Sequence, residues 1–374
     1  MEIAQRLAPV LEAAREDAEV VDTAGRYPER AVEALRESGL MGLTLPVEAG
    51  GLGAGPVEFS AVLQDLAAAC GSTAMIYLMH VAAAMPIAAA GGDDHAKVVQ
   101  GMAGGELLGT LAFSEKGSRS HFWAPVSRER KEGDEFVLVA EKSWVTSAAH
   151  AQVFVVSTLM HDAVTSTETN LYLVREGAVG LQVAAPWRGL GLRGNESSPM
   201  TLDVTVTDAD RIGEPGSGFA TMMGVVLPWF NLGNGSVTLG LARAALDAAV
   251  GHVSGARLEH LDSRLADLPT IRHRIGRAGI LLASQQEYMR ATAHKIAQPD
   301  ESTMLYVLGA RAAANDAALD ITDEAMRVCG GAAFSKHLPI ERAFRDARAG
   351  HVMAPTSDVL YDFYGKALCG MELF

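Results

Sequence analysis

The chain has 374 residues, of which 49% are hydrophobic and 20% charged, and this length is enough for two or three domains with ordinary globular cores. Its formal net charge of −14 argues against a surface that binds nucleic acid or an anionic membrane. The three cysteines, Cys70, Cys329 and Cys369, lie far apart and form no CxxC pair. We therefore expect no metal site and a reducing, cytoplasmic location.

We also expect no membrane span. The most apolar run, VAAAMPIAAAGG, is too short and too rich in alanine to cross a bilayer. The N-terminal stretch MEIAQRLAPVLEAAREDAEV carries charge throughout and lacks the apolar centre of a signal peptide.

Residues 1–110 have the pattern of an α-helical domain. The stretch AQRLAPVLEAAREDAEVVDTAG places Leu7, Leu11 and Ala14 on one helical face. The next run, YPERAVEALRESGLMGLTLP, has proline early in a helix and ends at Gly39. Further apolar runs between turn residues predict three more helices.

The sequence pattern changes at Leu111. From there, short runs of strand-forming residues separated by turn residues predict a small antiparallel barrel or sandwich. After GEPGSGF the helical period returns, and four runs predict a four-helix bundle. The predicted fold class is α+β. Its domains are an N-terminal α-helical domain at 1–110, a middle β-barrel domain at 111–215 and a C-terminal four-helix bundle at 216–374.

Several motifs follow one another in the order typical of the acyl-CoA dehydrogenase superfamily. LAFSEKGSRS stands where the family has TEPxAGS, and KSWVTS is similar to KxWITN. GLGLRGNESSPMTLDVTV resembles the family's xLGxRxS strand, and AMRVCGGAAFSKHLPIERAFRDAR resembles xQxxGGxGFxxxxPxExxxRDA. The chain thus resembles this superfamily along its full length. The resemblance implies FAD bound between the β-domain and the bundle of a homodimer or homotetramer.

The resemblance also implies which residues of the middle domain bind FAD. Ser114 falls where a hydroxyl contacts the isoalloxazine ring, and Ser120 where a serine contacts the pyrophosphate. Trp144 falls where a tryptophan packs near the ring, and Thr146 where a threonine approaches N5. Each residue read alone is also an ordinary turn or strand residue, and only their order favours a site.

In the bundle, the resemblance implies contacts with the cofactor of a neighbouring subunit. Arg257 lies near a family arginine with this role, and Arg327 occupies the position of a glutamine. Gly330 and Gly331 match a glycine pair that lets the backbone approach a ligand closely. Thr356 matches the threonine of the family's YEGTxxxQ motif and completes the predicted cofactor-binding set.

The catalytic glutamate of the family is missing from both of its usual positions. In YEGTxxxQ it precedes the conserved threonine by two residues, and that position is Ala354 here. The other position, on an early bundle helix, is Phe230, and the arginine beside it becomes Asn231. We predict that Phe230, Asn231 and Ala354 line the substrate pocket. A positioned base contributes about 10²- to 10⁴-fold to proton transfer, so its loss matters.

Three explanations stay open. Another residue can be the base, and His80 is the first candidate because it lies where family members line the flavin pocket. The other candidates are His121, His150, His351 and Asp358. Alternatively, the protein is a flavin monooxygenase or oxidase that uses O₂ and needs no α-proton base. The third explanation is a binding module that has lost catalysis.

We therefore predict an FAD-dependent oxidoreductase that dehydrogenates an acyl thioester or related substrate with a non-standard base. The aromatic segment Pro228–Asn231 favours a bulky, aromatic or carrier-bound substrate. The implied electron acceptors are an electron-transfer flavoprotein or O₂, and no nucleic-acid partner is expected.

Overall fold

The computed structural model describes residues 2–373, so the outermost residues of the predicted domains, Met1 and Phe374, lie outside it. The chain separates into two compact units. Of the described residues, the first contains 2–59, 72–189 and 193–230, and the second contains 60–71, 190–192 and 231–373. Helices form the N-terminal block as predicted, and they are α1 Ile3–Ala24, α2 Glu29–Glu37, α3 Pro56–Ala69, α4 Gly71–Ala90 and α5 Asp93–Gly104.

Helix α4 is apolar on all sides because it forms part of the core. Within residues 2–373 it is the one helix whose length and composition would allow a membrane crossing, and 78% of its most apolar window is buried inside the fold. The helix has 20 residues and extends beyond the 12-residue apolar run seen in the sequence. A mostly buried helix of this kind is weak evidence for a membrane span, since core helices have the same composition.

The middle block is built from strands, which are β1 Gly109–Ala112, β2 Glu129–Glu132, β3 Glu135–Val145, β4 Val153–Leu159, β5 Thr169–Arg175, β6 Leu181–Val183 and β7 Ser198–Thr207. They form a three-stranded sheet, β1-β4-β5, and a four-stranded sheet, β2-β3-β7-β6. Side chains from both sheets, among them Phe136, Phe154, Tyr172 and Leu202, share one core. The β1–β4 pair is parallel, which differs from the predicted all-antiparallel arrangement.

Strand β3 is interrupted where its register with β7 shifts between Lys142 and Val145. Trp144 lies in this bulge with a φ of 58°, a left-handed conformation that is strained for an aromatic residue. The bulge turns the indole outward, and the residue is 64% exposed.

The C-terminal block is helical, as predicted. It contains α6 Gly218–Thr221, a π-helical turn Met222–Val226, α7 Leu227–Gly255, a short hairpin of β8 Arg257–Leu258 and β9 Ser263–Arg264, α8 Pro269–Ala297, α9 Thr303–Cys329, α10 Gly331–Phe334, α11 Ile340–Asp346, α12 Arg348–Val352 and α13 Ser357–Leu368. The four predicted helical runs correspond to α7, α8, α9 and α13. Within the second unit, α9 is central and packs against α8, α11 and α13.

Candidate active site

In the first unit, the loop after β1 carries Ser114 and Ser120. The Ser114 carbonyl accepts a hydrogen bond of 2.8 Å from the Ser143 backbone N–H, which ties the loop to β3. Both serines are half-buried, and Arg119 between Ser118 and Ser120 has a positive φ of 49°. The loop therefore keeps two hydroxyls partly accessible on a defined backbone, as an anion-binding loop requires.

A buried ion pair supports this loop. The Lys142 Nζ donates to Glu115 Oε1, and the two side chains are 0% and 2% exposed. The other carboxylate oxygen of Glu115 accepts 2.7 Å and 2.9 Å bonds from the backbone N–H groups of Val126 and Ser127. Burial raises the pKa of Glu115, but the Lys142 charge and the hydrogen bonds from Lys142 and Ser127 outweigh it and hold that pKa below its ordinary value. Glu115 is thus an ionised anchor of the loop.

Trp144 and Thr146 lie on the same strand end, but only one of them is accessible. Trp144 is exposed and forms an edge contact with Trp187 at 5.7 Å between ring centroids. Thr146 is buried, and its hydroxyl shares a 3.0 Å hydrogen bond with Ser197. An exposed indole offers a flat apolar face of the kind that packs against an aromatic cofactor, and an isoalloxazine ring is such a group.

In the second unit, the predicted cofactor contacts lie at the surface. Arg257 pairs with Asp262 in the β8–β9 hairpin, and Arg327 pairs with Asp323 at 3.8 Å. Gly330 has a φ of 56°, and a Cβ added to it would meet nothing within 4 Å; Gly331 is equally open. Thr356 is half-buried and immediately precedes α13. The arginines and glycines are accessible to a ligand or to a second copy of the chain.

Ala354 lies in the turn between α12 and α13, where the Ala354–Pro355 peptide is cis. This turn explains the break in helical pattern, but α13 begins at Ser357 rather than at the proline. Ala354 is half-buried. Phe230, at the alternative glutamate position, is 7% exposed.

Asn231 does not have the role predicted for it. The side chain is 1% exposed, its Oδ1 accepts a 2.9 Å bond from Arg311 Nη1, and its Nδ2 donates to the Val307 carbonyl at 3.2 Å. Both polar atoms are therefore used inside the second unit rather than offered to a substrate.

Arg311 is absent from the residues predicted above, although its signal is present in the sequence. It is 0% exposed and lies one turn before Asn315 in a helix that is otherwise rich in alanine. A charged residue and an amide at i and i+4 on an apolar helical face indicate a buried polar cluster.

The structure also corrects the candidate base. His80 is fully buried, its Nδ1 accepts a 3.2 Å bond from the Gly109 backbone N–H, and its Nε2 lies 3.1 Å from the Met41 carbonyl. Nε2 must carry the proton, because a carbonyl can only accept. Burial lowers the pKa of His80 to about 4, against the raising effect of the Met41 carbonyl. Neither ring nitrogen is available to a substrate proton, so His80 has a structural role.

The other ionisable candidates are dispersed. His121 is exposed and lies 4.9 Å from the Trp123 ring, while Phe122 and Trp123 are buried against each other. His150 stacks on Tyr27 at 3.7 Å and pairs with Glu196 at 2.9 Å. His351 Nδ1 lies 3.3 Å from the Ser357 hydroxyl, and Asp358 is exposed. The aromatic segment at 121–123 thus packs within its own loop.

We predict that His80→Gln removes a pH-dependent part of the stability. The folded pKa near 4 lies below the ordinary 6.5, so this group weakens the folded state as the pH falls from 6.5 towards 4. Because of this group, the free energy of unfolding falls by about 3 kcal/mol between pH 6.5 and pH 4. Urea unfolding at a series of pH values from 7 to 4 measures this. The free energy of unfolding should depend less steeply on pH in His80→Gln than in the wild type. His337→Gln, at an exposed histidine, is the control and should keep the pH dependence of the wild type. Equal pH dependence in all three proteins would contradict the structural role of His80.

Comparison with known proteins agrees with the three blocks. Family models match residues 3–106 (acyl-CoA dehydrogenase, N-terminal domain), 110–205 (middle domain) and 216–369 (C-terminal domain). The bovine (Bos taurus) mitochondrial short-chain specific acyl-CoA dehydrogenase is 28% identical over 354 residues, covering 91% of this chain and 82% of that protein. Cyclohex-1-ene-1-carbonyl-CoA dehydrogenase of Geobacter metallireducens is 26% identical over 351 residues, covering 93% and 92%.

A solved structure shows the same fold. Butyryl-CoA dehydrogenase from Megasphaera elsdenii superposes with a TM-score of 0.90 at 21% identity, over 99% of both chains. Fold and matches together define a flavin-dependent oxidoreductase of the class that acts on CH–CH donors. The chain belongs to the acyl-CoA dehydrogenase family.

Proposed function

We propose that this protein uses FAD to remove two hydrogens from the α and β carbons of an acyl thioester, without a glutamate at position 354 or 230. The observation that carries the proposal is the match of all three family domains in order, from residue 3 to residue 369. When bound, FAD would supply the acceptor for the hydride of the β carbon, which carries both electrons, while the α carbon loses a proton.

We assign FAD binding in the first unit to Ser114, Ser120, Trp144 and Thr146. Support comes from the loop anchored by Glu115 and from the exposed Trp144 indole at the bulge of β3. In the second unit we assign cofactor contacts to Arg257, Arg327, Gly330, Gly331 and Thr356. The exposure of the arginines and glycines supports contact with the cofactor of a second copy, in a homodimer or homotetramer.

Proton removal has to work without the usual carboxylate. With alanine at 354, phenylalanine at 230 and both nitrogens of His80 bonded to the backbone, these three positions supply no base. A substrate whose α-proton is acidified by conjugation or by a second carbonyl needs a weaker base than an ordinary acyl-CoA does. We therefore propose an activated, bulky or carrier-bound acyl thioester as substrate, oxidised in the cytoplasm with electron-transfer flavoprotein or O₂ as acceptor.

A flavin monooxygenase or oxidase is the second candidate, and the same three positions favour it. Oxygen activation at a reduced flavin needs no base for an α-proton. A dehydrogenase and an oxidase are both reduced by their substrate alone, whereas a monooxygenase is not, so anaerobic reduction by the substrate separates the monooxygenase from the other two.

We expect purified protein to be yellow and to bleach when mixed anaerobically with suitable thioesters, because dehydrogenation reduces the flavin without O₂. Stopped-flow absorbance of the flavin bands measures this, with buffer and a non-oxidisable thioether analogue as controls. A flavin that no thioester bleaches, together with a hydroxylated product after external reduction and exposure to O₂, would establish the monooxygenase instead. A colourless protein that cannot be reconstituted with FAD contradicts both functions.

A further inference from the structure

Two helices of the second unit carry polar stripes on faces that are otherwise apolar. Helix α7 has Asn231, Asn234 and Thr238 at i, i+3 and i+7, and α9 has Arg311 and Asn315 at i and i+4. Each of these side chains is at most 2% exposed. Buried polar groups in proteins are almost always hydrogen-bonded, because an unpaired one is costly. The hydrogen-bond partners of these side chains therefore indicate what the stripes do.

The guanidinium of Arg311 is held in three directions. Nη1 donates to Asn231 Oδ1 at 2.9 Å, and Nε donates to Asn234 Oδ1 at 3.0 Å. Nη2 donates to the Met353 carbonyl at 2.9 Å and, at 3.5 Å, to the Gly350 carbonyl. The two asparagines orient the planar group, and the remaining nitrogen binds the backbone directly before Ala354.

Burial lowers the pKa of Arg311 to about 9, which leaves it charged at neutral pH. Hydrogen bonds from a charged donor are shorter and stronger than neutral ones, so the Met353 carbonyl is firmly held. A lysine could not reproduce this, because an ammonium is a point charge without the planar fork.

Asn315 holds the same segment from both ends. Its Nδ2 donates to the Gly350 carbonyl at 2.8 Å and to the Ser357 hydroxyl at 3.2 Å, and its Oδ1 accepts a 3.2 Å bond from Thr238. The approach is so close at Gly350 that a Cβ would lie 2.5 Å from Asn315 Oδ1. The segment 350–357 is therefore fixed before and after Ala354.

We propose that Arg311 is a positioning residue for substrate binding: it acts through the 350–357 segment to set where Ala354 and its backbone stand in the acyl pocket. The inference rests on the proposed function, because that function places Ala354 in the pocket. Arg311 itself is buried and touches the segment rather than the substrate.

The test compares Arg311→Met with Ile321→Ala in the FAD-loaded protein. Ile321 is a fully buried residue of the same helix, ten positions away, and its truncation costs about 2–5 kcal/mol without removing a bond to the segment. The first measurement is hydrogen exchange of the amides at 350–357. We expect at least tenfold faster exchange there in Arg311→Met and no local change in Ile321→Ala. Equal exchange in the two variants overturns the inference.

The second measurement is the KM and kcat for the thioester that bleaches the flavin. We expect kcat/KM to fall by up to about 10²-fold in Arg311→Met, mainly through KM, because a shift near 1 Å misplaces the bound acyl group. Ile321→Ala should keep the wild-type KM. If Arg311→Met fails to fold, Arg311→Lys is used in its place. Faster amide hydrogen exchange confined to 350–357 in that variant supports the inference, and exchange at the wild-type rate overturns it.

A third variant separates this inference from the proposed function. Ala354→Phe fills the pocket if Ala354 lines it, so thioester binding should be lost. If Ala354→Phe binds the thioester as the wild type does, Ala354 does not line the pocket. Arg311 then has no link to the substrate, and the inference that it positions the substrate is overturned. Loss of binding by Ala354→Phe with an unchanged KM in Arg311→Met overturns the inference and leaves the proposed function standing.

Discussion

Replacing Ala354 by glutamate is expected to raise the rate of anaerobic flavin bleaching by an acyl-CoA thioester by about 10²- to 10⁴-fold. The reason is that the substitution places a carboxylate at the position where the family keeps its base. Ala354 is half-buried in a turn held by Arg311 and Asn315, so the new side chain starts from a defined backbone. The measurement is single-turnover bleaching of the flavin absorbance with a series of acyl-CoA thioesters.

Ala354→Gln is the matched control, because it adds the same bulk without a base and should give no gain. Val352→Glu adds the same charge two residues away on a side chain that is 73% exposed, and it should also give no gain. If Ala354→Glu binds the thioester yet bleaches no faster than Ala354→Gln, the pocket does not hold the α carbon near residue 354. The proposed reaction would then lose its main geometric support.

Replacing Lys142 by methionine is expected to lower the free energy of unfolding by about 3–5 kcal/mol. The substitution leaves the Glu115 carboxylate buried without its cation, while the bonds from Val126 and Ser127 alone cannot balance the charge. Because this carboxylate anchors the loop with Ser114 and Ser120, FAD should also be lost more readily on dilution. Urea unfolding monitored by circular dichroism, together with flavin retention on gel filtration, measures both effects.

The double variant Glu115→Gln/Lys142→Met should recover part of the stability, since it removes the uncompensated charge. Lys131→Met, an exposed lysine on the neighbouring strand β2, is the control and should change the stability by less than about 0.5 kcal/mol. A loss in Lys142→Met no larger than that in Lys131→Met would show that the ion pair does not support the loop.

The positions of the motifs could be predicted from the sequence, but the partners of their side chains could not. Lys142 and Glu115 were both visible in motifs, yet their pairing depends on how the loop after β1 returns to β3. His80 looked like a base on a helix of the flavin-lining domain. It is the contacts with Met41 and Gly109, far away in the chain, that occupy its ring nitrogens.

The sequence by itself determined the family, the order of a helical, a sheet and a second helical block, and the absence of glutamate at positions 354 and 230. These features are local, because periodicity and motif spacing reflect which face of an element is buried. Only the tertiary structure decided that Asn231 binds Arg311 rather than a substrate, and that Arg311 holds the backbone before Ala354. The bonds from position 311 join residues some 40 and 80 positions apart, and such contacts follow from packing rather than from any local pattern.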